Sequence, residues 1–326
     1  MVIQLVCSCT ALAFVVAPWA AAAQPARAYR VACVELAKET PEQKPFLQAF
    51  RAGMRDLGYV EGTNLTIDWR FADNDLDRLR LLVDEVIALK PDVLLGFEVV
   101  AQIMRQKTTS IPIVLTGAFD PVRAGLAQSL ARPGMNVTGS TQLMDQLTAK
   151  HFEILRQILP RLARVGQRVD TTAPGCKLIE EHARRSSQQL GIVFIPYPVG
   201  NRSEIERAFS RMETERPDAL LPCPSPVLFS LRELLFENAV RLRIPFTSYI
   251  VTNLPLGVLF SYAATVDEGY HRAASYVDKI LKGAKPRGLP IEQPSRFRFV
   301  LNLKTAKALG ITIPPSVLLR ADEVIE

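Results

Sequence analysis

The sequence predicts an α/β protein of two lobes, each a parallel sheet flanked by helices. Short apolar runs alternate with amphipathic segments of about ten residues or more, a pattern that favours parallel strands joined by crossover helices. This alternation occurs twice along the chain. Two short segments recur in the same order: KPDVLL at 90–95 is matched by RPDALL at 216–221, and SIPIV at 110–114 by RIPFT at 243–247. With 326 residues, 48% of them hydrophobic, the chain can fill two cores.

The first lobe is predicted to contain four strands, each followed by a helix. Its first helix places Phe46, Phe50 and Met54 on one side, and Gly58 ends it. The strands are predicted at 30–35, 65–69, 92–95 and 111–115, and the helices at 45–57, 76–89, 99–107 and 122–130. Pro133-Gly134 ends the last helix, and the extended segment 136–139 leads into the second lobe.

The second lobe repeats this order and then returns towards the first. Strands are predicted at 164–169, 192–197, 257–265 and 297–301, and helices at 176–190, 203–215 and 266–281. The Pro-rich and Gly-rich segment 283–294 is predicted to be a loop. A helix that begins near Asn302 ends at Gly310, and a last helix is predicted at 316–326 with Ser316 as its N-cap.

The N-terminal segment is typical of an export signal. Residues 1–23 contain no charged side chain, and an apolar stretch precedes Ala21-Ala22-Ala23, so we expect cleavage before Gln24. Cys7 and Cys9 would leave with this segment. The odd number that remains, Cys33, Cys176 and Cys223, allows at most one disulfide, and we expect buried thiols.

Charge and motifs exclude several classes of function. The net charge is +6, but the 39 basic and 33 acidic residues are interspersed, which argues against a nucleic-acid-binding protein. No P-loop, GxGxxG or GxSxG motif occurs, and we predict neither enzymatic activity nor a cofactor. Asp73, Asp75 and Asp77 begin like a calcium loop, but Arg78 occupies the glycine position, so a helix N-terminus explains them better. No metal site is predicted.

Three blocks of sequence resemble the bacterial ABC-transporter substrate-binding proteins, an extracytoplasmic family with a type I periplasmic-binding fold. They are FRAGMRDLGYVEGTNLTIDWRFAD at 50–73, SLARPGMNVTG at 129–139, and the segment from YVDKILKG to the C-terminus at 276–326. The resemblance implies two Rossmann-like lobes joined by three hinge crossings, near 136–140, 260–265 and 293–297. Residues 24–138 with about 265–294 would form lobe one, and residues 139–264 with about 295–326 lobe two.

The same resemblance implies a periplasmic protein that holds a small ligand between its lobes and delivers it to an ABC permease of the inner membrane, and we expect a monomer. The chain differs from the family where a cleft would lie. Phe97 and Glu98 follow Gly96 where small residues are usual, and QRVDTTAP at 167–174 replaces an aromatic residue and an Asn-Pro pair.

Candidate ligand-binding residues follow from the rule that open parallel sheets bind ligands beyond the carboxyl ends of their strands. Aromatic faces among them favour an aromatic or amino-acid-like ligand. Glu98 and Asp170 are predicted to face the cleft from opposite lobes and to select an amino group, although each candidate could instead be a helix cap or core residue. The candidates are Glu35, Gly96, Phe97, Glu98, Thr116, Gly117, Phe119, Asp120, Asp170, Thr171, Pro224, Ser225, Ser248, Tyr249 and Tyr262.

Two other functions remain open from the sequence. The same fold could report its ligand to a membrane kinase or chemoreceptor. An enzyme could also be assembled from the polar groups of the cleft, because catalytic triads form in space and not in sequence. Closure around a ligand is expected for a receptor of either kind.

Overall fold

The computed structural model of the protein describes residues 28–171, 174–223, 225, 228 and 231–326. The predicted signal peptide and the candidate Pro224 lie outside these residues. Helices and strands alternate through the described chain and form two bodies of sheet, which confirms the predicted α/β fold class.

The first lobe is built on a five-stranded parallel sheet of order β2-β1-β3-β4-β5. Phe50 and Tyr276 bury one face of it under α1 and α8, whereas Val83 and Met104 bury the other under α2 and α3. Its strands are β1 (Tyr29–Glu35), β2 (Leu65–Phe71), β3 (Val93–Phe97), β4 (Ile113–Gly117) and β5 (Val137–Gly139). Its helices are α1 (Lys44–Asp56), α2 (Leu76–Ala88), α3 (Glu98–Lys107) and, from later in the chain, α8 (Val266–Leu281).

The second lobe combines a three-stranded sheet, β7-β6-β8, with a four-stranded sheet, β9-β10-β11-β12. A bridge between Leu220 and Phe246 joins the two, and only the β10–β11 pair among the described ladders is antiparallel. The strands are β6 (Arg164–Val169), β7 (Val193–Pro198), β8 (Ala219–Leu221), β9 (Thr247–Ser248), β10 (Phe260–Ala264), β11 (Phe297–Asn302) and β12 (Glu323–Ile325). The helices are α4 (Met144–Ile158), α5 (Pro174–Leu190), α6 (Arg202–Glu215), α7 (Arg232–Arg241), α9 (Leu303–Leu309) and α10 (Pro315–Leu318).

The two Pro-Asp segments that recur in the sequence have the same role in both lobes. In lobe one the Asp92 carboxylate accepts the Arg30 N–H at 2.8 Å, and the Asp92 N–H donates to the Arg30 carbonyl at 2.8 Å. Asp218 and Arg164 exchange the same two hydrogen bonds in lobe two, also at 2.8 Å. Each aspartate therefore fixes the start of the first strand of its lobe, and the recurrence reflects two equivalent lobes.

The backbone around these segments is also repeated. Lys90 and Arg216, which precede the two Pro-Asp pairs, adopt the left-handed conformation with φ of 50° and 44°. Each ends a helix and turns the chain into the next strand. A local conformation that is uncommon for residues other than glycine occurs twice at matched positions, so the match extends beyond sequence.

Two of the connections between the lobes are hydrogen-bonded to each other. The Glu292 N–H donates to the Gly139 carbonyl at 2.9 Å, and the Thr141 N–H donates to the Glu292 carbonyl at 2.9 Å. Gly139 has φ of +129°, and a Cβ there would lie 2.4 Å from the Leu115 carbonyl oxygen, so only glycine fits this approach to β4. The remaining connection runs directly from β10 into α8.

Two predicted helices are wrong. Residues 122–130 form turns, in which Gly125 has φ of +71° and the N–H groups of Leu126 and Ala127 share the Pro121 carbonyl. The predicted helix at 316–326 ends at Leu318, and the chain then pairs with β11 as strand β12. The first backbone is decided by local turn contacts and the second by pairing with a distant strand, and apolar spacing reports neither.

The expectation of buried thiols is correct for Cys33 and wrong for the other two cysteines. Cys33 is a buried free thiol on β1, whereas Cys176 and Cys223 form a disulfide that ties the first turn of α5 to the segment after β8. Asp75 caps α2 by accepting the N–H groups of Asp77 and Arg78, as a helix N-terminus requires. Among the described residues, no helix has the length and apolarity to cross a membrane, and no group of His, Cys, Asp and Glu side chains is arranged to hold a metal ion.

Candidate ligand-binding site

The carboxyl ends of the strands in the two lobes are brought together by direct contacts. Phe119, after β4, reaches the first turn of α5, where a Cβ on Gly175 would lie 2.3 Å from the Phe119 ring. Arg123 Nη1 lies 2.9 Å from a carboxylate oxygen of Glu181 on α5. Lobe one thus touches lobe two beside the region where most of the predicted site residues lie.

Aromatic rings form the lobe-one wall of this region. The rings of Phe97 and Phe119 meet edge to face with their centroids 5.0 Å apart. Gly117 lies beneath them, since a Cβ there would be 2.9 Å from the Phe97 ring. Gly96 allows close packing of α3, because a Cβ would lie 2.7 Å from a methyl group of Val100. Gly117 thus leaves room for the Phe97 ring, and Gly96 leaves room for α3.

The two predicted acids of this edge already have partners inside lobe one. Glu98 accepts the Asp120 N–H at 2.8 Å, and burial raises the pKa of its carboxyl group. Asp120 accepts the N–H groups of Val122 and Arg123, at 3.2 and 3.0 Å. Both carboxylates therefore hold the turn that carries Phe119.

Glu35 lies at the end of β1 and is enclosed. It accepts the Tyr270 hydroxyl at 2.6 Å and contacts the Cys33 thiol at 3.6 Å. Burial raises the pKa of Glu35, and the hydrogen bond from Tyr270 opposes that rise. These contacts tie β1 to α8 in lobe one.

Thr116 is placed at the connections between the lobes. It lines a small cleft with residues of all three connections, among them Ser140, Thr265 and Pro294. Arg272 of α8 lies beside it and bonds to Glu268, to Glu292 and to the Gln293 carbonyl. Thr116 therefore lies at the joint between the lobes, and Glu35 is enclosed within lobe one.

Lobe two contributes a buried set of aromatic and imidazole rings. Tyr249 lies within 3.1 Å of the Thr148 hydroxyl, and the Tyr262 ring stacks on Phe297 with centroids 5.7 Å apart. His151 contacts the Thr247 hydroxyl at 2.9 Å and the Tyr262 carbonyl at 2.8 Å. Burial lowers the pKa of His151 to about 4, so the ring is neutral at pH 7.

A polar cleft opens at the carboxyl ends of β8 and β9. Its lining combines charged and hydroxyl-bearing side chains with apolar ones. The predicted residues Ser225, Ser248 and Tyr249 line it together with residues that the sequence analysis did not single out. These are Arg168, Pro222, Cys223, Leu228, Arg232, Phe236, Ile250 and Asn253.

Asp170 lies beside this cleft, whereas Thr171 is exposed. The Asp170 side chain is buried and accepts a hydrogen bond from Ser225. Arg168 was missed because the strand-end rule looks beyond the strand, and this arginine lies within β6. Its signal in the sequence is a charged residue inside a segment otherwise predicted to be buried.

The family model described as ABC transporter substrate binding protein matches residues 34–325. The chain belongs to this family. Its two-lobe architecture is that of the type I periplasmic-binding proteins, as the resemblance implied. The family description names the binding of a substrate for an ABC transporter.

Two solved structures and one relative illustrate the similarity. A conserved domain protein from Vibrio cholerae has a TM-score of 0.83 and 26% identity, with 91% of this chain and all 100% of that chain covered. An ABC domain from Streptococcus pneumoniae in complex with L-Trp has a TM-score of 0.83 and 22% identity, with coverage of 91% and 100%. A tyrosine-binding protein of Clostridioides difficile is 23% identical over 278 residues, which cover 84% of this chain and 79% of that protein.

Proposed function

We propose that this substrate-binding protein captures an aromatic amino acid, or a closely related molecule, between its lobes for import by an ABC permease. The observation that carries the proposal is that the carboxyl ends of the strands carry an aromatic wall in lobe one and a cleft with hydroxyl groups in lobe two. Phe97 and Phe119 offer apolar ring faces, and Ser225 and Ser248 offer hydroxyl groups. The names of the tyrosine-binding relative and of the L-Trp complex support the same ligand class.

The proposal also covers where the protein acts and how its chain is divided between the two lobes. Residues 1–23 would direct export to the periplasm, where the mature chain acts as a monomer. Residues 24–138 with about 265–294 would move as lobe one, and residues 139–264 with about 295–326 as lobe two. The connections beside Ser140, Thr265 and Pro294 would bend, because they are short and link the two sheets.

Within the cleft, we assign the ligand's amino group to the Asp170 carboxylate. Asp170 is 1% exposed, follows β6 directly and accepts a hydrogen bond from Ser225, which lines the cleft. Glu98 would contribute less, since a backbone N–H already satisfies one of its oxygens. Isothermal titration of Asp170→Asn should show a loss of about 2 kcal/mol, and losses below about 0.5 kcal/mol in both Asp170→Asn and Glu98→Gln would remove the two acids from the site.

A thermal-shift panel tests the ligand class. L-Tyrosine, L-tryptophan, L-phenylalanine, benzoate and D-glucose would each be added to the purified protein. A ligand at a hundred times its Kd should stabilise the fold by about 2.7 kcal/mol, and we expect this for the aromatic amino acids. A shift with D-glucose alone would contradict the assignment.

Small-angle scattering tests the closure. Saturation with the best ligand of the panel should reduce the radius of gyration, since the ligand contacts both lobes only when they are closed. D-Glucose at the same concentration serves as the control. An unchanged radius at saturation would show that binding does not require the lobes to move.

A further inference from the structure

Arg168 on β6 is a buried cation in lobe two. It is 4% exposed, and its Cζ lies 4.1 Å from the ring centroid of Phe246. Its Nε makes no hydrogen bond, and within the described part of the chain no acidic side chain forms an ion pair with it. Burial lowers the pKa of Arg168 to about 9, so the fold carries a desolvation cost at this position that the Phe246 ring offsets only in part.

The fold does not require an arginine at this position. Arg30 and Arg164 begin the first strands of the two lobes with the same hydrogen bonds, and both strands pair with their neighbours in the same register. The fifth residue of β6, Arg168, therefore corresponds to the fifth residue counted from Arg30, which is Val34. Val34 is fully buried in an apolar cluster. An aliphatic side chain fills the equivalent place in lobe one.

The guanidinium group lines the polar cleft of lobe two. Ser248 and Asn253 lie in the same lining, and Asn253 donates to the Ser248 hydroxyl at 3.1 Å. The other amide atom of Asn253, Oδ1, is buried and has no partner. A second buried polar group without a partner thus lies in the wall that contains Arg168, and a ligand in the cleft can complete its hydrogen bonds.

We propose that Arg168 is the carboxylate-binding residue of the ligand cleft, so that the bound molecule presents a carboxylate to lobe two. The planar guanidinium matches a carboxylate by two parallel hydrogen bonds, and its buried charge gains a counter-charge only when the ligand is bound. This rests on the proposed function, because an aromatic amino acid brings both a ring and a carboxylate. It adds which lobe holds the carboxylate and which residue does so.

Binding of ligand analogues distinguishes the contribution of the ligand's carboxylate from that of its aromatic ring. Isothermal titration would compare L-tyrosine with tyramine, L-tryptophan with tryptamine, and 3-phenylpropionate with 3-phenylpropionamide. Within each pair the aromatic group is retained and the carboxylate is lost. We expect the compound without the carboxylate to bind at least tenfold more weakly in every pair that binds.

Variants of Arg168 then locate the effect. Arg168→Met should raise the melting temperature of the ligand-free protein and lower the affinity for L-tyrosine at least tenfold, while any affinity for tyramine stays unchanged. Arg168→Lys keeps the charge without the planar fork and should lie between. The matched control is Arg211→Met, because Arg211 also lies over a ring, 5.1 Å from Tyr197, but forms an ion pair with Glu215 on α6. It should leave ligand affinity unchanged.

The outcomes distinguish this inference from the proposed function. If L-tyrosine binds and tyramine binds equally well, or Arg168→Met retains full affinity, Arg168 does not hold a carboxylate and only the proposed function stands. If the aromatic amino acids do not bind but 3-phenylpropionate does so through Arg168, the carboxylate site stands and the amino-acid assignment is wrong. If none of the carboxylates binds, both are wrong. Should Arg168→Met fail to fold, Arg168→Lys decides.

Discussion

The first strands of the two lobes share one backbone plan and differ in what they bury. In lobe one, Cys33 is a free thiol and Val34 fills an apolar cluster. At the matched positions of lobe two, Gln167 and Arg168 are buried and each keeps one polar atom without a partner. Among the described residues, the first strand of lobe one therefore has no buried side-chain polar atom without a partner, whereas the first strand of lobe two retains two, and a ligand can satisfy these.

The largest expected effect on stability comes from removing the disulfide of lobe two. Cys176 and Cys223 close a loop with a sequence separation of 47, and constraining such a loop in the unfolded chain is worth about 4 kcal/mol. The variant Cys176→Ala/Cys223→Ala should lose about that much unfolding free energy in urea denaturation. Cys33→Ala, in lobe one, is the control and should lose about 1 kcal/mol. A loss below 1 kcal/mol in the double variant would show that lobe two does not depend on the disulfide.

An effect of intermediate size is expected on stability at acidic pH, through His151. His151 titrates at about 4 in the folded protein and at about 6.5 in the unfolded chain, so the unfolded chain binds the proton first as the pH falls. The free energy of unfolding should therefore decrease by about 3 kcal/mol in total as the pH falls from above 6.5 towards 4. Urea denaturation at a series of pH values should show that His151→Gln lacks this component of the decrease.

The matched control for this test is His271→Gln, because that imidazole is 56% exposed on α8. It should decrease in stability with falling pH as the wild type does. If His151→Gln decreased just as steeply, the acid sensitivity would have to come from another group, and the buried imidazole of lobe two would not be its cause.

The smallest expected effect comes from removing the hydrogen bond between Tyr270 and Glu35 in lobe one. Tyr270→Phe removes the hydroxyl that Glu35 accepts at 2.6 Å, and hydrogen bonds to charged groups are worth about 2 kcal/mol. Tyr276→Phe on the same helix removes a bond of equal length to the Pro290 carbonyl, which should cost about 1 kcal/mol. Chemical denaturation of both variants measures the difference, and equal losses would mean that Glu35 does not rely on Tyr270.

Most of the fold could be predicted because its signals are local. The recurring Pro-Asp pairs indicated two lobes, and their aspartates do fix equivalent strands at Arg30 and Arg164. The prediction failed where distant partners decide the backbone. Strand β12 forms because the Asp322 N–H donates to the Phe299 carbonyl at 2.8 Å and the chain then pairs with β11, and nothing near residue 322 signals that sheet.

The site was predicted less completely for the same reason. The strand-end rule finds positions, and it placed Ser225, Ser248 and Tyr249 in one cleft. It cannot tell which polar groups are already satisfied, because the partner of Glu35 lies 235 residues away along the chain. Arg168 could be recognised as a candidate only from the structure, because only the structure shows that its Nε has no partner and that Val34 fills the equivalent position in lobe one.

The hydrogen bonds between the connections at Gly139–Thr141 and at Glu292 determine how the molecule can flex. The third connection, between β10 and α8, lies against these two, because Arg272 bonds to Glu292 and to the Gln293 carbonyl and Ala264 pairs with Phe297. The three connections therefore form one hydrogen-bonded joint. We expect the lobes to open and close about this single joint, with little freedom to twist or slide past each other.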